Sequence, residues 1–190
     1  MRRSFLYVML LLLIFIPVFY VNAQNLSTNG ELFVRTIFDS HSDSHWEALA
    51  FSRFGFGIGL DYGVVPHVIR PGARLQVGFS PLYLLKGKDE CEDKDDGMNL
   101  FDIGGRLYNE FGFGSLKLQP FVDYTVYFFS SDKAVRAAPR FGLGLFLALN
   151  SLGLEYAYIF PGKDTSLSGS SKILYNNNYH RVGISYYFSF

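Results

Sequence analysis

Large apolar residues alternate with small or charged residues along much of this chain, and this period of two limits its fold more than any other feature. The pattern is clearest in residues 140–149, where the odd positions are Phe or Leu and the even positions are mostly Arg, Gly or Ala. Residues 181–190 repeat it with the apolar side chains on even positions. Successive side chains of a β-strand point to opposite faces, so each segment is predicted to be a strand with two different faces.

The same alternation predicts eight strands. They lie at 31–38, 53–61, 73–80, 99–111, 116–128, 140–149, 152–160 and 181–190. The first has the weakest pattern, because Phe33 and Ile37 share a face with charged residues. Tight turns are predicted at 112–115 and 150–151, and longer connections, mostly polar, at 39–47, 61–71, 86–98, 129–138 and 161–178.

The tight turns test this assignment independently of composition. The two residues that flank a two-residue hairpin turn are paired and share a face, so Leu149 and Leu152 must both lie on the apolar face. That face must then change from odd to even numbers between the two strands, and it does. The turn at 112–115 requires the same change, and the apolar positions move from Leu107 to Leu116.

The first 23 residues form a separate segment. Arg2 and Arg3 precede an almost unbroken apolar run from Phe5 to Tyr20, and Val21-Asn22-Ala23 then places small residues before a cleavage point. This pattern is typical of a secretory signal peptide at 1–23 and predicts a mature domain at 24–190. The alternative is an uncleaved membrane anchor, since about 20 apolar residues can span a bilayer.

Composition excludes several classes of function. The 190 residues contain 17 Lys and Arg against 17 Asp and Glu, and this balance argues against nucleic acid as a partner. The single cysteine excludes a disulfide scaffold and a cysteine-rich metal site. No cofactor is predicted.

The glycines indicate which face of the sheet is outside. The polar face carries many of them together with single charges, at 55, 57, 59, 78, 104, 142, 144, 153 and 183. An eight-stranded barrel has an interior only just wide enough for side chains, which suits small residues, whereas the continuous apolar face suits hydrocarbon. A soluble lipocalin-like barrel would reverse the two faces.

With these features the chain resembles the small eight-stranded outer-membrane proteins, the group of the OmpA transmembrane domain, OmpX and OmpW. The resemblance implies an all-β, antiparallel up-and-down transmembrane barrel in the outer membrane of a Gram-negative-type envelope, with outer-membrane lipid as its surroundings. It also implies that the last strand is presented to the barrel-assembly machinery. The residues of this C-terminal assembly strand are Val182, Ile184, Tyr186, Phe188 and Phe190.

The inward face of such a barrel collects charge. Charged groups in a low-dielectric interior are costly unless they pair, so we expect a network of ion pairs. The alternatives for this network are a structural plug and a selective pore. Its predicted members are Glu31, Arg35, Arg53, Arg74, Asp102, Arg106, Glu110, Lys117, Asp123, Arg140, Glu155 and Arg181.

Three other clusters contain residues that could carry chemistry. The acidic connection 86–98 lacks the register of a calcium loop, and His41 and His45 would need further ligands to hold zinc. Small lipid-A deacylase barrels pair a histidine with a serine two residues on, but His180 is followed at that position by Val182. The sequence therefore predicts no catalytic or metal site.

The predicted function is that of a non-enzymatic outer-membrane barrel. Its rigid scaffold would present four extracellular loops for surface interaction or envelope structure, with an unknown loop ligand. The alternatives are a narrow channel for small solutes, a lipid-modifying enzyme and a soluble lipocalin-like periplasmic carrier.

Overall fold

Eight strands form a closed antiparallel barrel in a computed structural model, which describes residues 25–39, 51–65, 68–80, 99–131, 134–162 and 178–190. Each strand pairs with the next, and β1 also pairs with β8. This confirms the predicted fold class. The strands are β1 (Leu26–Asp39), β2 (Phe51–Tyr62), β3 (Ile69–Ser80), β4 (Asn99–Phe113), β5 (Leu116–Ser131), β6 (Ala134–Leu149), β7 (Leu152–Ile159) and β8 (Tyr179–Ser189).

The barrel has two distinct ends. The lower end carries the start of β1, the end of β8 and the short connections after β2, β4 and β6. The upper end carries the connections after β1, β3, β5 and β7. The predicted signal peptide at 1–23, the acidic connection 86–98, and His41 and His45 lie outside the described residues.

Two hairpin turns lie at the lower end, where the sequence predicts tight turns. Leu149 pairs with Leu152, as the change in the numbering of the apolar face requires. Phe113 pairs with Leu116, so the other turn is two residues shorter than the predicted 112–115. Both turns begin with a left-handed residue, since Gly114 has φ 67° and Asn150 has φ 55°. Glycine and asparagine are the residues that adopt this conformation most readily.

The strands extend further than the sequence pattern indicates. The predicted connection 129–138 is wrong, because β5 and β6 remain paired up to Ser131 and Ala134. The predicted connection 61–71 is also too long, since only 63–68 separate β2 from β3. The alternation of apolar residues fades where a strand leaves the apolar layer, but backbone pairing needs no apolar side chain and continues beyond it.

The two faces of the wall differ as predicted. The outer face exposes large apolar side chains on every strand, among them Leu32, Ile58, Leu75, Leu145 and Ile184. Phe33 and Ile37, which obscured the pattern of β1, point inward with Glu31 and Arg35 and are buried.

Candidate functional site

A network of ion pairs fills the middle of the barrel. Arg35 contacts Glu31 at 3.1 Å and Glu155 at 2.9 Å, and Arg74 contacts Glu31 at 2.6 Å. These contacts join β1, β3 and β7, which are not adjacent in the sheet. The network therefore connects opposite parts of the wall through the interior.

Two further arginines complete this middle network. Arg106 contacts Asp123 at 2.7 Å and Glu155 at 2.7 Å. Arg181 contacts Glu155 at 2.8 Å and also pairs with Asp123. We use "middle network" for the seven residues joined by these contacts: Glu31, Arg35, Arg74, Arg106, Asp123, Glu155 and Arg181.

Inward glycines make the cross-strand contacts possible. Gly183 of β8 lies directly between Arg35 of β1 and Glu155 of β7 in the strand register. A Cβ at Gly183 would stand 2.7 Å from Cγ of Arg35, so any larger residue would obstruct the contact of Arg35 with Glu155. Gly59 of β2 lies in the same way between Asn29 and Arg74, whose guanidinium donates to the Asn29 Oδ1 at 3.0 Å.

Separate ion pairs lie above and below the middle network. Near the upper end, Arg53 pairs with Asp102 across Gly78, where a Cβ would stand 2.7 Å from Nη2 of Arg53. Arg53 Nη1 also donates to the Tyr127 hydroxyl at 3.3 Å. Arg140 lies at the same level, with its guanidinium 4.9 Å from the centroid of the Tyr179 ring.

The pairs near the lower end include two residues that the sequence pattern did not assign to the charge network. Asp61 and Arg70 contact each other at 2.5 Å, although the sequence pattern places Asp61 at the end of the predicted strand 53–61 and Arg70 in the predicted connection 61–71. Lys117 contacts Glu110 at 3.4 Å, and the Gln119 amide donates to Glu110 at 2.6 Å. The sequence did contain a signal for Arg70. The alternation that places Arg74 on the inner face continues backwards through Gly72 to Arg70.

Aromatic rings occupy the space between the charged groups. The guanidinium of Arg35 lies 3.6 Å from the centroid of Phe33, and that of Arg106 lies 3.5 Å from the centroid of Phe121. The three inward Phe rings of β1, β5 and β6 are at most 3% exposed. In a barrel of eight strands, side chains of this size are enough to fill the interior.

The structure places all of the predicted charged residues on the inner side of the wall. Those of the middle network are buried, with exposures of 4% or less. Lys117, at the lower end, is the most accessible of the predicted set, with 30% of its side chain exposed. The uncharged polar residues Gln76 and Gln119, which the pattern places on the polar face, and Asn29, which precedes the first predicted strand, are also buried inside.

The polarity of the wall is opposite to that of a protein folded in water. Charged side chains are buried in the interior, and the outer surface is a band of Leu, Ile, Val, Phe and Tyr. Hydrocarbon, and not water, is the solvent that such a band fits. This is the architecture of an outer-membrane β-barrel. Among the described residues, no helix is long and apolar enough to cross a bilayer.

His180 lies on the outer face near the upper end. Its Nδ1 is 2.6 Å from the Tyr156 hydroxyl, and its ring contacts both Tyr156 and Tyr158. Val182, two residues on, is an exposed apolar residue of the same face. Within the described part of the chain, neither a serine nor a carboxylate is among the contacts of His180, and no group of three or more His, Cys, Asp or Glu could hold a metal ion.

Comparison with known proteins gives structural similarities only. No protein-family model and no curated protein sequence matches the chain. The outer membrane enzyme PagL has 10% identity over 83% of this chain and 98% of its own, with a TM-score of 0.49. Ail, the attachment invasion locus protein of Yersinia pestis, has 11% identity over 86% and 99%, with a TM-score of 0.40. Neisserial surface protein A has 12% identity over 86% and 97%, with a TM-score of 0.43.

Proposed function

We propose that this protein is a non-enzymatic barrel of the outer membrane that is closed to solutes and holds its upper-end connections at the cell surface. The single observation that carries the proposal is the buried middle network, which joins opposite walls of the barrel. Surface interaction or envelope structure is the role that such a scaffold supports.

The outer surface supports placement in a membrane. Large apolar side chains are exposed on all eight strands, and many are about half accessible, such as Ile58 at 56% and Tyr186 at 56%. A soluble lipocalin-like carrier needs these side chains inside and the charged ones outside. An apolar surface that encircles a monomer in water would drive aggregation, so this alternative fits the structure poorly.

The packed interior supports a barrel without a channel. An ion would have to pass Arg35, Arg106 and Glu155, which lie at the centre of a continuous set of ion pairs and are almost inaccessible. Opening a path would separate buried charges, and breaking one partner from a buried ion pair costs about 3–5 kcal/mol. A narrow channel for small solutes is therefore the weaker alternative.

The two ends of the barrel support a scaffold role for the upper one. At the lower end, two of the connections are two-residue turns. At the upper end, β5 and β6 extend as a paired hairpin eight residues beyond the last residue of β6 that pairs with β7, Gly142. At about 3.4 Å per residue this is roughly 27 Å of strand beyond the pairing of β6 with β7.

Electrical recording from the purified protein tests the proposal. In planar bilayers we expect no stepwise conductance from the refolded, heat-modifiable barrel, because the middle network blocks the lumen. A porin reconstituted in the same bilayers provides the positive control. Stepwise currents from the wild-type protein that persist after removal of contaminating porins would contradict the proposal and favour the channel.

A further inference from the structure

The middle network is not electrically balanced. It contains four guanidinium groups, from Arg35, Arg74, Arg106 and Arg181, and three carboxylates, from Glu31, Asp123 and Glu155. All seven side chains are 2% exposed or less, so one excess positive charge is enclosed in the interior. An unbalanced buried charge is strongly unfavourable unless a counter-charge lies beside it.

The ion pairs above and below do not supply this counter-charge. Arg53 with Asp102, Arg70 with Asp61 and Lys117 with Glu110 are each one cation against one anion, and Arg140, near the upper end, is a further cation and so adds no negative charge. Within the part of the chain that the structure describes, no ion pair joins these pairs to the middle network, and only the Asn29 side chain, which donates to Asp61 and accepts from Arg74, connects one of them to it by hydrogen bonds. The excess charge therefore belongs to the middle network itself.

Two buried hydrogen-bond donors of this region have no acceptor among the described residues. They are Nη1 of Arg106 and Nε2 of Gln76. Nε and Nη2 of Arg106 already donate to Asp123 and Glu155, and Oε1 of Gln76 accepts from Arg35 at 3.0 Å. The two free donors are thus fixed in position by contacts on the other side of each group.

These two donors belong to neighbouring positions on the inner wall. Gln76 of β3 pairs with Gly104 of β4, and Arg106 is the next inward residue of β4. Diagonal neighbours of this kind have Cβ atoms about 7–8 Å apart or less, within the reach of long side chains. A water molecule would satisfy both donors, but it would leave the excess charge uncompensated.

We propose that the middle network binds one small monovalent anion, of the size of chloride, between Arg106 and Gln76. The anion accepts hydrogen bonds from Nη1 of Arg106 and Nε2 of Gln76 and neutralises the enclosed positive charge. Its binding stabilises the closed barrel, and it requires no ligand on the upper-end connections. Anion binding in the interior and the scaffold role of the upper end are independent, so a result against one leaves the other unchanged.

The effect of chloride on the stability of the folded barrel is measured by reversible urea unfolding of the refolded protein in detergent. Sodium chloride is compared with sodium gluconate at equal ionic strength, since gluconate is too large for the packed interior. A ligand that binds only the folded state raises the folding equilibrium constant about ten-fold for each ten-fold increase in its concentration above the dissociation constant. Equal stability of the wild-type protein in both salts over the whole range would overturn the proposal.

Two matched variants distinguish chloride binding at this site from a general effect of salt on the stability of the barrel. Gln76→Glu adds a fourth carboxylate to the middle network, where Oε1 already accepts from Arg35. We expect this variant to be more stable than wild type in gluconate and to lose the chloride dependence. Gln119→Glu adds a carboxylate beside Glu110 in the balanced lower pair, and it should be less stable while it keeps the chloride dependence.

Diffraction provides a test that needs no variant. In crystals of the wild-type barrel grown with sodium bromide, an anomalous peak beside Arg106 and Gln76 is expected. A well-ordered water at that position without anomalous signal would overturn the proposal, as would a Gln76→Glu variant that folds and retains the full chloride dependence.

Discussion

At the scale of single residues, inward glycines make room for the contacts of the interior, because they have no side chain. Gly183 and Gly59 each lie between two strands whose polar residues meet across them. Gly144 serves the aromatic packing in the same way, since a Cβ there would overlap the ring of Phe121. The glycines of the polar face were correctly predicted to belong to a crowded interior, but the contacts that each one allows depend on the strand register.

A pair of glycine variants tests this directly. Gly144→Leu should destabilise the barrel by about 1–3 kcal/mol or more, because the new side chain overlaps Phe121 and the backbone of β7. Gly105 lies on the outer face and is exposed, and a Cβ added there would have no atom within 4 Å, so Gly105→Leu should be tolerated. The measurement is the urea concentration at the unfolding midpoint of the refolded protein. An equal decrease of this midpoint in both variants would mean that the inner and outer faces are wrongly assigned.

At the scale of the strands, closure depends on the pairing of β1 with β8. Their ladder runs from Asn29 opposite Ser189 to Asp39 opposite Tyr179. Phe188 covers Gly30 on the outer face, and the backbone N–H of Phe190 donates to the carbonyl of Thr28 at 3.2 Å. Since β1 has the weakest sequence pattern, we expect closure to depend heavily on β8.

Truncation of the last three residues tests the closure. Removing Phe188–Phe190 leaves the lower part of β1 with unpaired backbone groups, each of which costs several kcal/mol in hydrocarbon. We expect an exported chain that does not assemble and is degraded. Ser189→Ala is the control, because Ser189 is an exposed residue at the lower end and its backbone pairing is unchanged. The amount of heat-modifiable protein in the outer-membrane fraction is measured, and normal assembly of the truncated chain would contradict this account of closure.

At the scale of the whole molecule, the barrel has a short lower end and an uneven upper end. The termini of the described barrel, Leu26 and Phe190, lie at the lower end together with the turn at Asn150. Outer-membrane barrels have short turns on the periplasmic side and longer connections on the outside. The upper end of this barrel should therefore face the cell exterior.

Epitope labelling of intact cells tests this orientation. A tag inserted at Ser168, in the connection between β7 and β8, should bind antibody without permeabilisation. A tag at Asn150, in the turn between β6 and β7, should bind only after the outer membrane is opened. The same antibody and the same cells serve both variants, and the reverse pattern would show that the barrel is inserted with its lower end outside.

The sequence by itself determined the number of strands, the two faces of the wall and the positions of the tight turns. These are local properties, because side chains alternate with a period of two along any extended chain and a two-residue turn fixes which residues are paired. Only the tertiary structure decided that Arg35 meets Glu155, that Asp61 pairs with Arg70, and that β5 and β6 continue to Ser131 and Ala134. Contacts through the lumen join residues far apart in the chain, and they depend on the stagger of the closed sheet and on the reach of each side chain, which no local pattern records.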